Sequence, residues 1–154
     1  MKIIDIKTQD IRFPTSKDNL GTDAVHVDCD YSATYVTIFT DQKDLNGIGL
    51  TFTIGKGNDL CCTVIEYFKE FIIGKDIQEI EKNIASIWEK ITNHSQLRWV
   101  GPQKGVTHLA AAAFFNAIWD LISKFHKKPL WQYIIDLDTD SLINKLSFNY
   151  LDDV

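Results

Sequence analysis

The order of strand-like and helix-like segments is the feature that most restricts the fold of this 154-residue chain. Apolar and β-branched residues alternate over residues 2–13, 33–40 and 48–54, which predicts three β-strands. Asn46 and Gly47 form a turn-prone pair before the third strand, so we expect an antiparallel meander. Three strands are only marginally stable on their own, so helices should cover one face of the sheet.

Helical spacing of apolar residues begins after Gly57 and dominates the rest of the chain. Asn58 or Asp59 is positioned to cap the first helix, and Asp76 to cap the second. The predicted helices cover residues 58–74, 76–91, 106–125 and 129–135. The fold class is therefore α+β, with a three-stranded antiparallel β-meander followed by a helical bundle.

A long polar segment, residues 12–33, separates the first two strands. Connections are usually about six residues or shorter, and long ordered loops commonly bind ligands or act as lids. Asp23 and Asp28 flank His26, an arrangement that can polarise an imidazole or hold a cation. A solvated polar loop without a ligand remains the alternative.

The turn formed by Gly55, Lys56 and Gly57 is a second candidate binding element. It follows a strand and precedes a helix N-terminus, where free N–H groups and the helix dipole favour negative charge. Lys56 adds a positive charge, so the turn suits an anionic ligand. An ordinary turn is the alternative.

Charge and composition exclude several classes of protein. The net charge is −5 and no basic run extends beyond Lys127 and Lys128, so we expect no nucleic-acid partner. The longest apolar run, residues 109–115, is too short to cross a bilayer, so we expect no membrane partner. The three cysteines form no regular spacing, which predicts a reducing compartment, cytoplasmic or mitochondrial. A reactive role stays open for Cys29.

Sequence motifs for nucleotide binding, metal binding and covalent catalysis are absent. The chain has no P-loop, no G-x-G-x-x-G, no H-E-x-x-H and no G-x-S-x-G. The sequence therefore identifies no catalytic residue and no metal ligand.

Five segments, in order along the chain, carry a family resemblance. They are RFPTS at 12–16, DCDYSA at 28–33, GLTFTIGKG at 49–57, LRWVGPQKGV at 97–106 and NAIWD at 116–120. Together they resemble the N-terminal capping domain of enolase-superfamily acid-sugar dehydratases, in particular those that act on L-fuconate. The resemblance spans essentially the whole chain. It implies the same meander and helical bundle, and a C-terminal (β/α)-barrel that this chain lacks.

The resemblance also implies how the chain is divided and what its parent does. Residues 1–140 would be the capping domain and residues 141–154 the start of a truncated barrel, with 145–150 as a strand. The parent would convert L-fuconate or a similar acid sugar to a 2-keto-3-deoxy acid. Mg²⁺ held by the barrel would support removal of the proton α to the carboxylate. The chain alone is then expected to be inactive.

Substrate contacts, rather than chemistry, are the contribution that the family's capping domain implies. The positions that match the family's substrate contacts are Gly21, Thr22, Asp23 and Tyr31. His26 and Lys56 lie in the same two loops and are weaker candidates. The implied partners are a small acid sugar, the barrel of the same protein and, in a homo-oligomer, further copies of the chain.

A non-catalytic binding or interaction module that retains the capping fold is the alternative. The apolar surface normally covered by the barrel would then need another partner, such as a second copy of the chain. Light scattering on the purified chain separates the two readings, because a stable monomer contradicts the module. A small-molecule carrier that uses the Asp-rich loop is a weaker third hypothesis.

Overall fold

A three-stranded antiparallel sheet forms the first part of the computed structural model, which describes residues 1–100 and 104–148. The strands are β1 (Ile3–Ile11), β2 (Ser32–Thr40) and β3 (Asn46–Thr53), in the spatial order β1-β2-β3. The meander predicted from alternation is therefore confirmed.

Among the described residues, helices cover only one face of this sheet. Ile6 of β1 and Val36 and Ile38 of β2 are buried on the covered face, where the two longest helices pack. Side chains of β3 such as Leu50 and Phe52 point to the opposite face and stay exposed. The split follows from the period of two along a strand, which sends successive side chains to opposite faces.

Six α-helices follow the sheet within residues 1–100 and 104–148. They are α1 (Asn58–Phe68), α2 (Ile77–Lys82), α3 (Ile84–Thr92), α4 (Val106–Phe125), α5 (Leu130–Ile135) and α6 (Thr139–Ile143). Two predictions about them need correction, and one helix was missed. The first helix ends at Phe68 rather than at Gly74, because the chain tightens into a 3₁₀ turn over Lys69–Phe71. The single helix predicted over 76–91 is broken at Asn83, and α6 was not predicted.

Helix α4 is the core of the helical layer and packs closely on β3. A Cβ at Gly49 would stand 2.2 Å from the Ala113 carbonyl oxygen, and one at Gly47 2.2 Å from that of Ala117. Two glycines on the strand thus let the helix backbone approach the sheet. By length and composition α4 is also apolar enough to cross a membrane, but 61% of that window is buried inside the fold.

Polar side chains of α4 bond to the outer edge of β3. The Ile48 N–H donates to Asp120 at 2.7 Å, and the Leu50 carbonyl accepts from the Asn116 amide at 3.3 Å. Lys124 donates to the Asn46 carbonyl at 3.0 Å. The spacing of four residues places the three α4 side chains on one side of the helix, so each meets an edge group of the strand.

A half-buried carboxylate joins four separate parts of the helical layer. Glu81 of α2 accepts a hydrogen bond from the Tyr133 hydroxyl of α5 and lies 3.0 Å from Nε2 of His126, at the end of α4. Lys145 Nζ, beyond α6, is 3.7 Å from the same carboxylate. Burial opposes ionisation of Glu81, but the bonds from Tyr133 and His126 outweigh it and hold the pKa of the carboxyl below its ordinary value.

The strand predicted over residues 145–150 is only partly described. Residues 145–148 do not form a strand, and residues 149 and 150 lie outside the described residues. The Ser147 hydroxyl donates to Glu89 of α3 at 2.9 Å, so this segment runs along the helical layer. The boundary proposed at residue 140 falls inside α6. The assignment of 141–154 to a second domain stays a prediction.

Candidate functional site

The segment between β1 and β2 is an ordered loop with its own hydrogen bonds, and we call residues 12–31 the first loop. A short 3₁₀ helix, Thr15–Asp18, begins after Pro14. The Thr15 hydroxyl donates to the Cys29 carbonyl at 2.9 Å and accepts from the Tyr31 N–H at 3.0 Å. These two bonds join the beginning of the loop to its end.

Asp30 fastens the same loop a second time. Its Oδ1 accepts from the Ser16 hydroxyl at 2.7 Å and from the Ser16 N–H at 3.2 Å. Both bonds favour the carboxylate, so Ser16 holds the pKa of Asp30 below its ordinary range. Asp30 is thus a structural residue of the loop, held to Ser16 through its Oδ1.

The turn of residues 54–57, the second loop, lies directly beside the first. The Asp30 N–H donates to the Ile54 carbonyl at 3.1 Å. Gly55 has φ +111°, and a Cβ there would stand 3.0 Å from the Asp30 Cβ. The close contact requires glycine at this position. Lys56 is exposed between Gly55 and Gly57, so its ammonium group faces solvent beside the first loop.

Gly21 and Tyr31, predicted as separate substrate contacts, lie against each other. The Tyr31 hydroxyl donates to the Gly21 carbonyl at 2.8 Å. Gly21 has φ +75°, and a Cβ there would stand 2.1 Å from the Tyr31 hydroxyl oxygen. The other side of the tyrosine ring packs on Phe52 of β3, with ring centroids 5.4 Å apart. Tyr31 therefore connects the tip of the first loop to the exposed face of the sheet.

Asp23 and His26 form a tight turn at the exposed tip of the first loop. Asp23 Oδ1 accepts from the N–H groups of Val25 and His26, each at 2.7 Å. His26 Nδ1 lies 3.3 Å from both carboxylate oxygens. The backbone N–H of His26 is the main reason that the pKa of Asp23 is lowered, followed by that of Val25. Thr22, half-buried before this turn, donates to the Asn19 carbonyl at 3.1 Å.

Cys29 has the character of a structural thiol. It is buried, and its Sγ lies 3.5 Å from the His26 carbonyl oxygen. Burial and then the negative charges of Asp23, Asp28 and Asp30 raise the pKa of the thiol. A raised pKa keeps the sulfur protonated and poorly nucleophilic. The geometry therefore argues against the reactive role left open for Cys29.

No group of three or more His, Cys, Asp or Glu side chains within residues 1–100 and 104–148 is arranged to hold a metal ion. Asp23 and His26 approach each other, but the exposed Asp28 does not complete a three-ligand set. The part of the chain that the structure describes therefore does not fit Mg²⁺, and magnesium chemistry would need ligands from outside these residues.

Residues 23–134 match the model of the mandelate racemase / muconate lactonizing enzyme, N-terminal domain. The chain belongs to this family. The match covers most of the sheet and the helical layer, and it confirms the predicted kinship with enolase-superfamily N-terminal domains.

Individual relatives match this chain over nearly its full length. Mitochondrial enolase superfamily member 1 of Xenopus laevis is 45% identical over 153 residues, which is 99% of this chain and 34% of that protein. L-galactonate dehydratase of Hypocrea jecorina is 40% identical over 151 residues, 98% of this chain and 33% of that protein. The chain thus spans about a third of the length of these relatives.

Solved structures agree with this assignment to the family's N-terminal domain. The crystal structure of human mitochondrial enolase superfamily member 1 superposes with a TM-score of 0.92 and 41% identity, over 99% of this chain and 35% of that one. L-Talarate dehydratase from Polaromonas sp. JS666, complexed with Mg and L-glucarate, gives a TM-score of 0.60 at 18% identity, over 89% of this chain and 33% of that one. The second match shows the fold alone.

Residues that order the two loops of this family member were missed in the sequence. Thr15 and Ser16 follow Pro14, which signals a turn, but nothing in the sequence pairs them with residues 29–31. Asn58 or Asp59 was expected to cap α1, whereas Gly57 occupies the cap position and Asn58 is fully buried. The asparagine directly after the glycine turn was the local signal, but its burial is seen only in the structure.

Acidification should release the bond between Asp30 and Ser16. Because the pKa of Asp30 is lowered in the fold, its contribution is complete above the unfolded-chain pKa and is lost as pH falls through the folded value. We expect the Ser16 amide resonance in ¹⁵N NMR spectra to shift with that titration, while the Ala111 resonance in α4 stays constant. A Ser16 shift that follows the titration of Asp23 instead would contradict this assignment.

Proposed function

We propose that this chain is the capping domain of a longer acid-sugar dehydratase, in which the two loops close over the substrate. The observation that carries the proposal is that the first and second loops lie side by side at one end of the sheet. The Asp30–Ile54 hydrogen bond holds them together, and both expose polar groups beside an apolar ring face. A surface of this kind suits a small polyhydroxylated anion.

The named activities of similar proteins support the substrate class. The Hypocrea jecorina relative is an L-galactonate dehydratase, and the Polaromonas fold neighbour is an L-talarate dehydratase complexed with L-glucarate. Both are named for acid sugars. L-Fuconate or a close relative remains the substrate we propose, with a 2-keto-3-deoxy acid as product. The Xenopus and human relatives are named as mitochondrial, which favours that compartment over the cytoplasm.

Each loop residue has a proposed task in positioning the acid sugar. Asp23 Oδ1 is engaged by two backbone N–H groups, which leaves Oδ2 to accept from a sugar hydroxyl near His26. Tyr31 offers its ring edge, steadied by Gly21, to the carbon chain. Lys56 supplies a positive charge for an anionic group, and Thr22 supplies a half-buried hydroxyl. We propose that none of these groups transfers a proton.

The chemistry itself is assigned to the part of the longer protein that this chain does not contain. The chain has about a third of the length of its relatives, and its described residues do not fit a magnesium ion. We propose that Mg²⁺ and the catalytic base lie in a C-terminal barrel. Residues 1–140 would cap it and residues 141–154 would lead into it. This chain alone is then expected to have no dehydratase activity.

The proposal is tested in a full-length enzyme that carries this chain as its N-terminal part. Asp23→Ala should raise KM for the acid sugar about tenfold, since a hydrogen bond to a charged group is lost. Mg²⁺ affinity, measured by titration calorimetry without substrate, should stay unchanged. Asp28→Ala is the matched control, because Asp28 is an exposed carboxylate of the same loop. Lost Mg²⁺ affinity in the Asp23 variant, or an equal KM effect of Asp28→Ala, would overturn the assignment.

A further inference from the structure

A buried asparagine lies behind the two loops, where their ends meet the sheet. Asn58 is the first residue of α1 and is fully inaccessible to solvent. Its side-chain amide donates to Asp10 Oδ1 at 2.8 Å and to the Ile11 carbonyl at 3.3 Å. Asp10 and Ile11 end β1 and lead directly into the first loop. The side-chain NH₂ group of Asn58 therefore binds the end of the strand that leads into the first loop.

The side-chain oxygen of Asn58 connects to the second loop. Asn58 Oδ1 accepts from the Thr53 hydroxyl, and the Thr53 oxygen in turn accepts from the Gly55 N–H at 3.2 Å. Thr53 ends β3 and Gly55 belongs to the second loop. The Asn58 carbonyl also accepts from Thr34 of β2 at 3.1 Å. One side chain thus links the last residues of two strands that are not neighbours in the sheet.

The charges around Asn58 require an amide rather than a carboxylate. Arg12 binds both oxygens of Asp10 and also reaches Asp59, with its Nη2 3.2 Å from Asp59 Oδ1. Hydrogen bonds from Arg12 and then from Asn58 lower the pKa of Asp10. Asp10 is therefore a permanent acceptor near neutral pH, and its partner must donate. A carboxylate at position 58 would face Asp10 with like charge and could not donate.

We propose that Asn58 is the positioning residue that fixes the two loops relative to each other, through Asp10 on one side and Thr53 on the other. The loops would then order as one unit, and a ligand held between them would depend on a residue that it never touches. The use of the loops for an acid sugar rests on the proposed function. The coupling of the loops does not, because it is a property of the chain without ligand.

Amide hydrogen exchange on the 154-residue chain tests the coupling without any substrate. Asn58→Asp should raise the exchange rates of the Tyr31 and Gly55 amides together, by about tenfold, because a charge-assisted bond is lost. Amides of α4 such as Ala111 should keep their rates. The double variant Asp10→Asn with Asn58→Asp rebuilds one donor–acceptor bond between positions 10 and 58, but not the bond to the Ile11 carbonyl or the full pairing with Arg12, so it should slow exchange in both loops only in part.

Two outcomes of that experiment would overturn the proposal. In the first, only one loop exchanges faster in Asn58→Asp, or α4 exchanges faster by the same factor. In the second, the double variant gives no restoration. These exchange rates are measured without substrate, so they do not depend on whether the parent protein is a dehydratase.

A second pair of variants decides the question if Asn58→Asp does not fold. Thr53→Val keeps the shape of the side chain but removes the hydroxyl between Asn58 and Gly55, whereas Thr53→Ser keeps it. We expect Val, and not Ser, to raise exchange at both Gly55 and Tyr31. A rise confined to Gly55 would show that the first loop is independent of this relay and would refute the proposal.

Discussion

Replacement of Gly49 by alanine should destabilise the protein by about 3 kcal/mol or more, a loss that overpacking at backbone atoms can reach. The new Cβ would stand 2.2 Å from the Ala113 oxygen and 2.4 Å from the Ala117 nitrogen, both backbone atoms of α4. Neither atom can move without displacing the helix. Gly49 is not in the left-handed region, so the contact alone would account for the loss. Urea unfolding measures the free energy of unfolding.

Gly57→Ala is the matched glycine control for this prediction. A Cβ at Gly57 meets nothing within 4 Å, but its φ of +96° is unfavourable for alanine. We expect a loss of about 1–2 kcal/mol from that backbone strain. If Gly49→Ala costs no more than Gly57→Ala, the close approach of α4 to β3 is not the constraint that the structure indicates.

Removal of the Glu81 carboxylate should cost about 3 kcal/mol, because Glu81→Leu leaves the buried Tyr133 hydroxyl and the half-buried Lys145 without their acceptor. The Tyr133 hydroxyl, whose pKa is raised first by burial and then by its bond to Glu81, would be left unpaired. His126 and Lys145 would lose their common anion. Glu81→Gln retains an acceptor and should cost about half as much. Thermal and urea unfolding give both values.

The dependence on pH provides an independent measure of the same group. The pKa of Glu81 is lowered in the fold, so its contribution is present above the ordinary value and lost as pH falls through the folded one. The stability difference between the wild type and Glu81→Gln should therefore shrink in acid. Glu70→Gln, at an exposed carboxylate, should show little effect at any pH. A difference of the same size at neutral and acid pH would contradict the role of the Glu81 charge.

The sheet and the longest helix could be predicted because their signals are local. Alternation over residues 33–40 already separates the buried Val36 and Ile38 from the half-buried residues between them. Apolar spacing gives both ends of α4 correctly. Here the period of the side chains and the burial of one face point to the same element, so sequence and structure agree.

The breaks in the helical layer could not be predicted from the same patterns. The apolar stripe runs on through Asn83, yet its φ of −109° interrupts the helix. The Asn83 side chain donates back to the Glu79 carbonyl at 2.8 Å, a local bond that competes with helix continuation. Residues at a break such as this carry no periodic signal.

The positions of the two loops could be predicted, but their internal bonds could not. The length of the first loop and the glycines of the second indicated both loops, and the family match over residues 23–134 includes the second loop and part of the first. The bonds of Asp30 to Ser16 and of Asn58 to Asp10 join residues 14 and 48 positions apart. No pattern along the chain encodes such pairs, because each depends on the sheet having already folded.

The three α4 side chains on the outer edge of β3 determine how this sheet can grow. An open strand edge normally recruits further strands, from another molecule or from an unfolded chain. Asn116, Asp120 and Lys124 already bond to three groups of this edge, the Leu50 carbonyl, the Ile48 N–H and the Asn46 carbonyl. A strand that paired with β3 here would first have to displace these side chains, so α4 disfavours extension of the sheet on this side.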